Sequence, residues 1–174
     1  PKNKRLAMSH INMGIQNKIW LKFPKVFWDD TQYIEHIAKA HLSKNEWADK
    51  GRFLEFVNMN YFLNQPILLL MVSGDFAKNL ESKSDSQITS DIMYILKSIY
   101  GENIPQPIAH KITRWGQDEF SYGSYSSLRP GSYADSLDFK IMSEPIKHQV
   151  YFAGEATHPY YPATVHGAYL SGER

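Results

Sequence analysis

The residues with the clearest chemical potential lie in one stretch, YFAGEATHPYYPATVHGAYLSGER, which occupies residues 151–174. The apolar run 150–153 reads as a short strand that ends at Gly154-Glu155, and Pro162 introduces a helix over 163–171. That helix carries Gly167, Ala168, Ser171 and Gly172, small residues that let another backbone or a flat ligand come close. Its first turn offers amides with no intrahelical acceptor and the positive end of the helix dipole. Together these suit an electron-rich group such as a phosphate. Plain helix packing is the competing explanation of the same residues.

Other reactive residue types are scattered. The 7 His include His158 and His166, but nothing resembles the ligand spacing of a metal site, so they read as structural. Ser124 and Ser126 lack the surroundings of a nucleophile elbow. Glu81, Lys83 and Asp85 read as a solvated turn, and Lys2, Lys4 and Arg5 as a frayed terminus. The Cys count is 0, which excludes disulfides, thiolate metal ligands and a Cys nucleophile, and is compatible with a reducing compartment such as the cytoplasm.

The elements that must position these groups follow from periodicity. Residues 13–27 alternate, with Ile15, Ile19 and Leu21 on one strand face and Lys18 on the other. Residues 31–42 read as a helix with Ile34, Ile37, Ala38 and Leu42 along one side. Segments 53–62 and 67–73 read as two strands separated by Asn64, Gln65 and Pro66. A short helix is expected over 75–80. A longer one is expected over 85–100, where Ile88, Ile92, Ile95, Leu96 and Ile99 recur at spacings of three and four, with Ser84 or Asp85 as cap and Gly101 as stop. Residues 108–115 alternate again as a strand, and 116–136, rich in Gly, Ser and Tyr, read as loop.

By length alone, 174 residues make one domain of roughly 100–200 residues. Hydrophobic residues are 43% and the formal net charge is +1, which argues against disorder and gives no electrostatic footprint for nucleic acid. The longest apolar run, 67–72, is far shorter than the ~20 residues that span a bilayer.

Three ordered stretches resemble the flavin-containing amine oxidases, a family that includes monoamine, polyamine and spermine oxidases and lysine-specific histone demethylases. FAGEATH…YPATVHGAYLSGER resembles the family's C-terminal signature. MGIQNKIWLKFPKVFWD, residues 13–29, resembles the segment with a flavin-facing lysine. TRWGQDEFSYGSYS, residues 113–126, resembles the segment lining the substrate cavity. Residue by residue, the resemblance implies that Lys18 holds a water against the flavin and that Trp115 stands beside the flavin. It also makes Tyr125 one wall of an aromatic cage. It implies that Gly154 and Glu155 meet the ribose and diphosphate part of the cofactor, and that Thr164 and Val165 begin the helix beneath the flavin pyrimidine. Monoamine oxidases place a second aromatic where Thr164 stands, so the chain resembles the polyamine oxidase, spermine oxidase or histone demethylase branch, with Thr164 at the substrate side.

The implied cofactor is FAD, held without a cysteinyl bond from this segment. The implied fold is mixed α+β or α/β, the C-terminal part of a two-domain oxidase. Residues 1–145 would belong to the substrate-binding domain and 146–174 to the returning strand and helix of the Rossmann-type FAD domain. The family's GxGxxG does not occur among the 10 Gly, so the remainder of the oxidase is the expected partner and the segment is not expected to turn over alone. The implied reaction, of polyamine oxidase type, takes a (poly)amine to an imine and then an aldehyde, with oxygen reduced to hydrogen peroxide. A related flavin oxidoreductase, of L-amino-acid oxidase or desaturase type, and a non-catalytic interaction module on the same scaffold are the alternatives.

Overall fold

The computed structural model describes residues 1–37, 52–129 and 136–174. In chain order the helices and strands are α1 (Lys2–His10), β1 (Ile11–Gly14), β2 (Gln16–Lys22), β3 (Tyr33–Glu35), β4 (Glu55–Asn58), α2 (Met59–Leu63), β5 (Ile67–Ser73), α3 (Gly74–Leu80), α4 (Asp85–Tyr100), β6 (Ala109–Ile112), β7 (Tyr125–Leu128), α5 (Ser136–Ser143) and α6 (Val165–Glu173). They gather into two compact units. One is contiguous, Ile15–Glu119; the other joins Pro1–Gly14 to Phe120–Arg174. The mixture of helix and sheet is the fold class expected.

In the contiguous unit, β3, β4, β5, β2 and β6 form an antiparallel sheet in that order. Alternation in β2 buries Asn17, Ile19 and Leu21 and leaves Lys18 exposed. The buried face meets Leu68 and Leu70 of β5, Phe56 of β4, Leu80 of α3, and Ile88, Ile92 and Leu96 of α4. Helix α4 occupies the expected range. Ser84 accepts from the Gln87 amide while the Gln87 side chain reaches back to the Ser84 amide, a complete capping box. Gly101 ends the helix with φ 88°, a conformation that strains any residue with a Cβ.

Several expectations change. Residues 33–35 form a strand in place of the first part of the 31–42 helix, because pairing with β4 buries Ile34 and leaves Ile37 outside. The rest of that expected helix lies outside the described residues. The 53–62 strand stops at Asn58, whose Oδ1 accepts from the Asn60 amide and starts α2; Asn64 at φ 51° ends it. Residues 150–153 are not a strand. Ile146 and Val150 form only an isolated bridge around a tight turn, with Lys147 and His148 both at positive φ.

In the other unit, β7 emerges from the expected 116–136 loop because it pairs with β1, from Ile11 opposite Leu128 to Gly14 opposite Tyr125. The basic terminus is helical and anchored. Lys4 is buried, donates to the Ile141 and Met142 carbonyls at 2.8 and 2.7 Å, and lies over the Phe152 ring. Its charge thus serves the negative end of α5, whose terminal carbonyls lack intrahelical donors. Burial lowers the Lys4 pKa, with the nearby Glu144 acting in opposition. β7 and the segment from 146 onward fall in one compact body with β1.

Candidate functional site

Lys18 and Trp115 belong to the contiguous unit, and one buried network sets both. Sheet pairing between β2 and β6 ends at Ile19 opposite Ile112. Beyond that point side chains take over the ladder. The Lys18 amide donates to Thr113 Oγ1 at 2.8 Å, and the Thr113 amide donates to the Lys18 carbonyl at 3.0 Å. Thr113 Oγ1 donates to Asn17 Oδ1 at 3.0 Å, and the Trp115 amide donates to the same oxygen at 3.0 Å. Asn17 Nδ2 in turn donates to Glu81 Oε1 at 2.7 Å, and that oxygen also accepts from the Gly116 amide at 2.9 Å. Asn17 is 0% exposed and Glu81 6%, so the bond between them forms away from water, where an unmade one is costly. The Lys18 side chain stands on the opposite sheet face, directly across from Met71. Trp115 is 41% exposed, so its indole presents a surface and does not fill the core.

Arg114 fixes the same turn from outside. Its guanidinium donates to the Glu81 and Lys83 carbonyls and to Asp85 Oδ1 at 2.6 Å. Asp85, at the start of α4, also meets His110 Nε2 at 3.1 Å. The Arg114 hydrogen bond is the main cause that lowers the Asp85 pKa, against the opposing effect of burial. A carboxyl depressed by folding stabilises the fold above its unfolded value of about 3.9, and that stability disappears as pH falls through the folded value. Thermal melts of the full-length protein should therefore show Asp85→Asn less stable at pH 7, with the gap to wild type closing below about pH 4. A gap that persists undiminished at low pH would assign the loss to packing.

Tyr125, Gly154, Glu155, Thr164 and Val165 belong to the other unit. The Glu155 carboxylate joins two of its elements. Oε1 accepts the Ser126 amide at 2.8 Å, while Oε2 accepts the Ser126 hydroxyl and the Ala163 amide, each at 2.6 Å. Ser126 follows Tyr125 on β7, so Glu155 holds the tyrosine's strand. Ala163 sits at φ 59°, a left-handed conformation that the Glu155 bond helps to hold immediately before α6. Thr164 caps α6: its hydroxyl accepts the Gly167 amide at 3.0 Å and donates to the Tyr161 carbonyl at 2.8 Å. The Val165 and His166 amides in the first turn then have no acceptor within the helix. Val165 is 89% exposed, so this turn is open. Gly154 sits at φ 126°, and among the described residues nothing beyond its chain neighbours lies within 4 Å of where a Cβ would stand, so its backbone offers a close approach.

Reasoning from sequence missed several residues here. Asn17 has no place in the sequence reading and Glu81 reads as part of a solvated turn, yet both are buried. Gly14 passed unnoticed; a Cβ there would stand 3.2 Å from the Tyr125 carbonyl and 3.9 Å from its ring. His158 had no ligand spacing, yet its Nδ1 accepts the Tyr161 amide at 3.0 Å and so shapes the loop before α6. Only the position of Asn17 on the apolar face of an alternating strand could have signalled a buried polar hub. Among the described residues, no group of three His, Cys, Asp or Glu could hold a metal ion. No helix there is long and apolar enough to cross a membrane.

Comparison with known proteins agrees with the geometry. The family model described as flavin containing amine oxidoreductase matches residues 1–174. The chain is similar to lysine-specific histone demethylase 1 homolog 2 of Arabidopsis thaliana, at 37% identity over 177 residues, covering 100% of this chain and 23% of the relative. It is similar to histone demethylase-like protein A of Aspergillus fumigatus at 34% identity, covering 100% of this chain and 16% of the relative. The chain thus spans about a fifth of the length of such relatives. In structure it resembles putrescine oxidase bound to putrescine, with TM-score 0.69 and 18% identity, over 100% of this chain and 36% of that one. The family match over residues 1–174 makes this chain a member of the flavin-containing amine oxidoreductases.

Proposed function

We propose that the chain is the C-terminal part of an FAD-dependent amine oxidase, with residues 1–145 in its substrate-binding domain and 146–174 in its FAD domain. Family membership carries FAD as the cofactor. The observation that carries the residue assignment is the open first turn of α6. Val165 and His166 offer amides to an electron-rich group there, and the Thr164 cap holds the turn in place. The residues fit the cofactor in two further ways. The Gly154 backbone is open to close approach, and among the described residues Glu155 Oε1 accepts the Ser126 amide alone, which leaves lone-pair capacity for a sugar hydroxyl.

FAD, once bound, supplies two-electron oxidation of a carbon–nitrogen bond, with dioxygen taking the electrons as hydrogen peroxide. The chain's own residues hold and orient. Lys18 would keep a water at the reacting face, Trp115 would stand beside the flavin, and Tyr125 and Thr164 would face the amine.

Two amine classes compete, free polyamines and methylated lysine within a protein. The second is favoured by identities of 33–37% to histone demethylases, against 18% for putrescine oxidase. The full-length protein, assayed for peroxide with putrescine, spermine, a methyl-lysine peptide and L-amino acids, tests both readings. Peroxide with an amine and none with L-amino acids is expected, and loss of methyl groups from the peptide would assign the class. A flavin-free protein, or peroxide from L-amino acids alone, would refute amine oxidation. The 174 residues by themselves are expected to give no peroxide.

A further inference from the structure

Two residues assigned to the flavin, Lys18 and Trp115, are tied to one oxygen. Asn17 Oδ1 accepts the Trp115 amide directly and reaches the Lys18 amide through the Thr113 hydroxyl. The Asn17 amide group is itself aimed by its 2.7 Å bond to Glu81. Rotation of the Asn17 side chain would break its bonds to the Trp115 amide, the Thr113 hydroxyl and Glu81, and Asn17 and Glu81 are both almost wholly buried. Glu81 is pinned as well, since its carboxylate takes the Gly116 amide at 2.9 Å and its carbonyl takes Arg114 and Gln117. At Gly116 a Cβ would stand 2.8 Å from Glu81 Oε2 and 3.1 Å from Ile15 Cδ1, so a side chain there would push on the Glu81 carboxylate. This polar cluster stands where regular β2–β6 pairing has ended, so its side chains do the work of missing ladder bonds.

We propose that Asn17, anchored by Glu81, is a positioning residue that sets Lys18 and Trp115 jointly for the oxidase reaction. The proposal rests on the reading that Lys18 and Trp115 face the flavin. Backbone placement governs where a long side chain can reach, and a shift of about 1 Å at a reacting site can cost about a hundredfold in rate. The Thr113 hydroxyl is the link that carries the placement to Lys18, and its loss leaves the Lys18 amide without its acceptor while Asn17 and Glu81 stay in place.

The test uses the full-length protein loaded with FAD. Its flavin is reduced chemically and reoxidised by dioxygen, so no amine substrate needs to be known. Thr113→Val and Glu81→Leu should each slow reoxidation by about tenfold. Glu81→Gln, whose carbonyl oxygen keeps the two acceptor bonds, should stay within about twofold of wild type. Thr113→Val should have no further effect in a Lys18→Met background, because both changes remove the same function. FAD content and melting temperature are followed throughout, and if Glu81→Leu fails to fold, Thr113→Val carries the test. A Thr113→Val loss as large in Lys18→Met as in wild type would overturn the proposal, as would wild-type reoxidation in Thr113→Val. A Glu81→Gln protein as slow as Glu81→Leu would also overturn it. Wild-type reoxidation in Lys18→Met alone is a different result, and it would overturn the placement of Lys18 beside the flavin together with what is built on it.

Discussion

Lys18→Met in the full-length, FAD-loaded protein is expected to slow the flavin half-reactions by about two orders of magnitude, the lower range for loss of a positioned proton-handling group. The reasons lie in β2. Lys18 stands on the solvent face of a strand whose other face is fully packed by Asn17, Ile19 and Leu21. Its side chain supports none of that core, and Met71 is its cross-strand neighbour. Among the described residues, no carboxylate forms an ion pair with Lys18. Methionine keeps the unbranched length and can lie beside Met71, so folding and FAD content should be unchanged. Stopped-flow absorbance separates the two halves of the reaction, reduction by amine and reoxidation by dioxygen. Wild-type rates in both would remove Lys18 from the mechanism, and loss of FAD would show that the lysine holds cofactor.

The second large effect is expected at Gly167. This residue is buried in the first turn of α6, and any Cβ would collide with the Tyr161 carbonyl and stand 2.9 Å from the capping Thr164 hydroxyl. Backbone at that distance cannot give way as a flexible side chain could. Gly167→Val should therefore displace the turn, break the cap and destabilise the protein by about 3 kcal/mol, the upper range for overpacking. FAD content should fall with it, because the displaced turn is the one assigned to the cofactor. Gly172→Ala is the control on the same helix. No atom lies within 4 Å of a Cβ there, and alanine in a helix interior is favoured over glycine by about 1 kcal/mol. Its melting temperature should equal or exceed that of wild type. A Gly167→Val protein with unchanged melting temperature and full flavin content would show that the loop before α6 can move aside.

What the sequence made legible divides along a physical line. Helix α4 was readable because its apolar spacing, its Ser84–Gln87 cap and its Gly101 stop all agree. The face of Lys18 was readable because a strand alternates strictly. The strand at Tyr33–Glu35 was not, since four apolar residues at helical spacing also suit a short strand once a partner exists. The ribbon at Tyr125–Leu128 was hidden for the same reason, because its partner lies at the other end of the chain. The motif residues of the site could be assigned through resemblance, whereas the groups that hold them could not. Glu81 sits in a segment with Lys83 and Asp85, whose composition suggests solvent; burial of its carboxylate depends on amides from 116 and a side chain from 17. Nothing local encodes that meeting.

The division of the chain into a contiguous unit and a split one has a kinetic consequence. Among the described residues, the strand pairs of Ile15–Glu119 lie within that unit, so they can form without waiting for either flank. The ribbon of β1 and β7 closes only after the whole of 15–119 has been made, and each of its pairs carries the loop entropy of that span. During synthesis, then, Met13 and Gly14 emerge early and remain without β7 until Tyr125 appears. The strand that carries Lys18 can be in register before the ribbon that carries Tyr125 exists. Formation of the two units is thus sequential in time, with the contiguous one first.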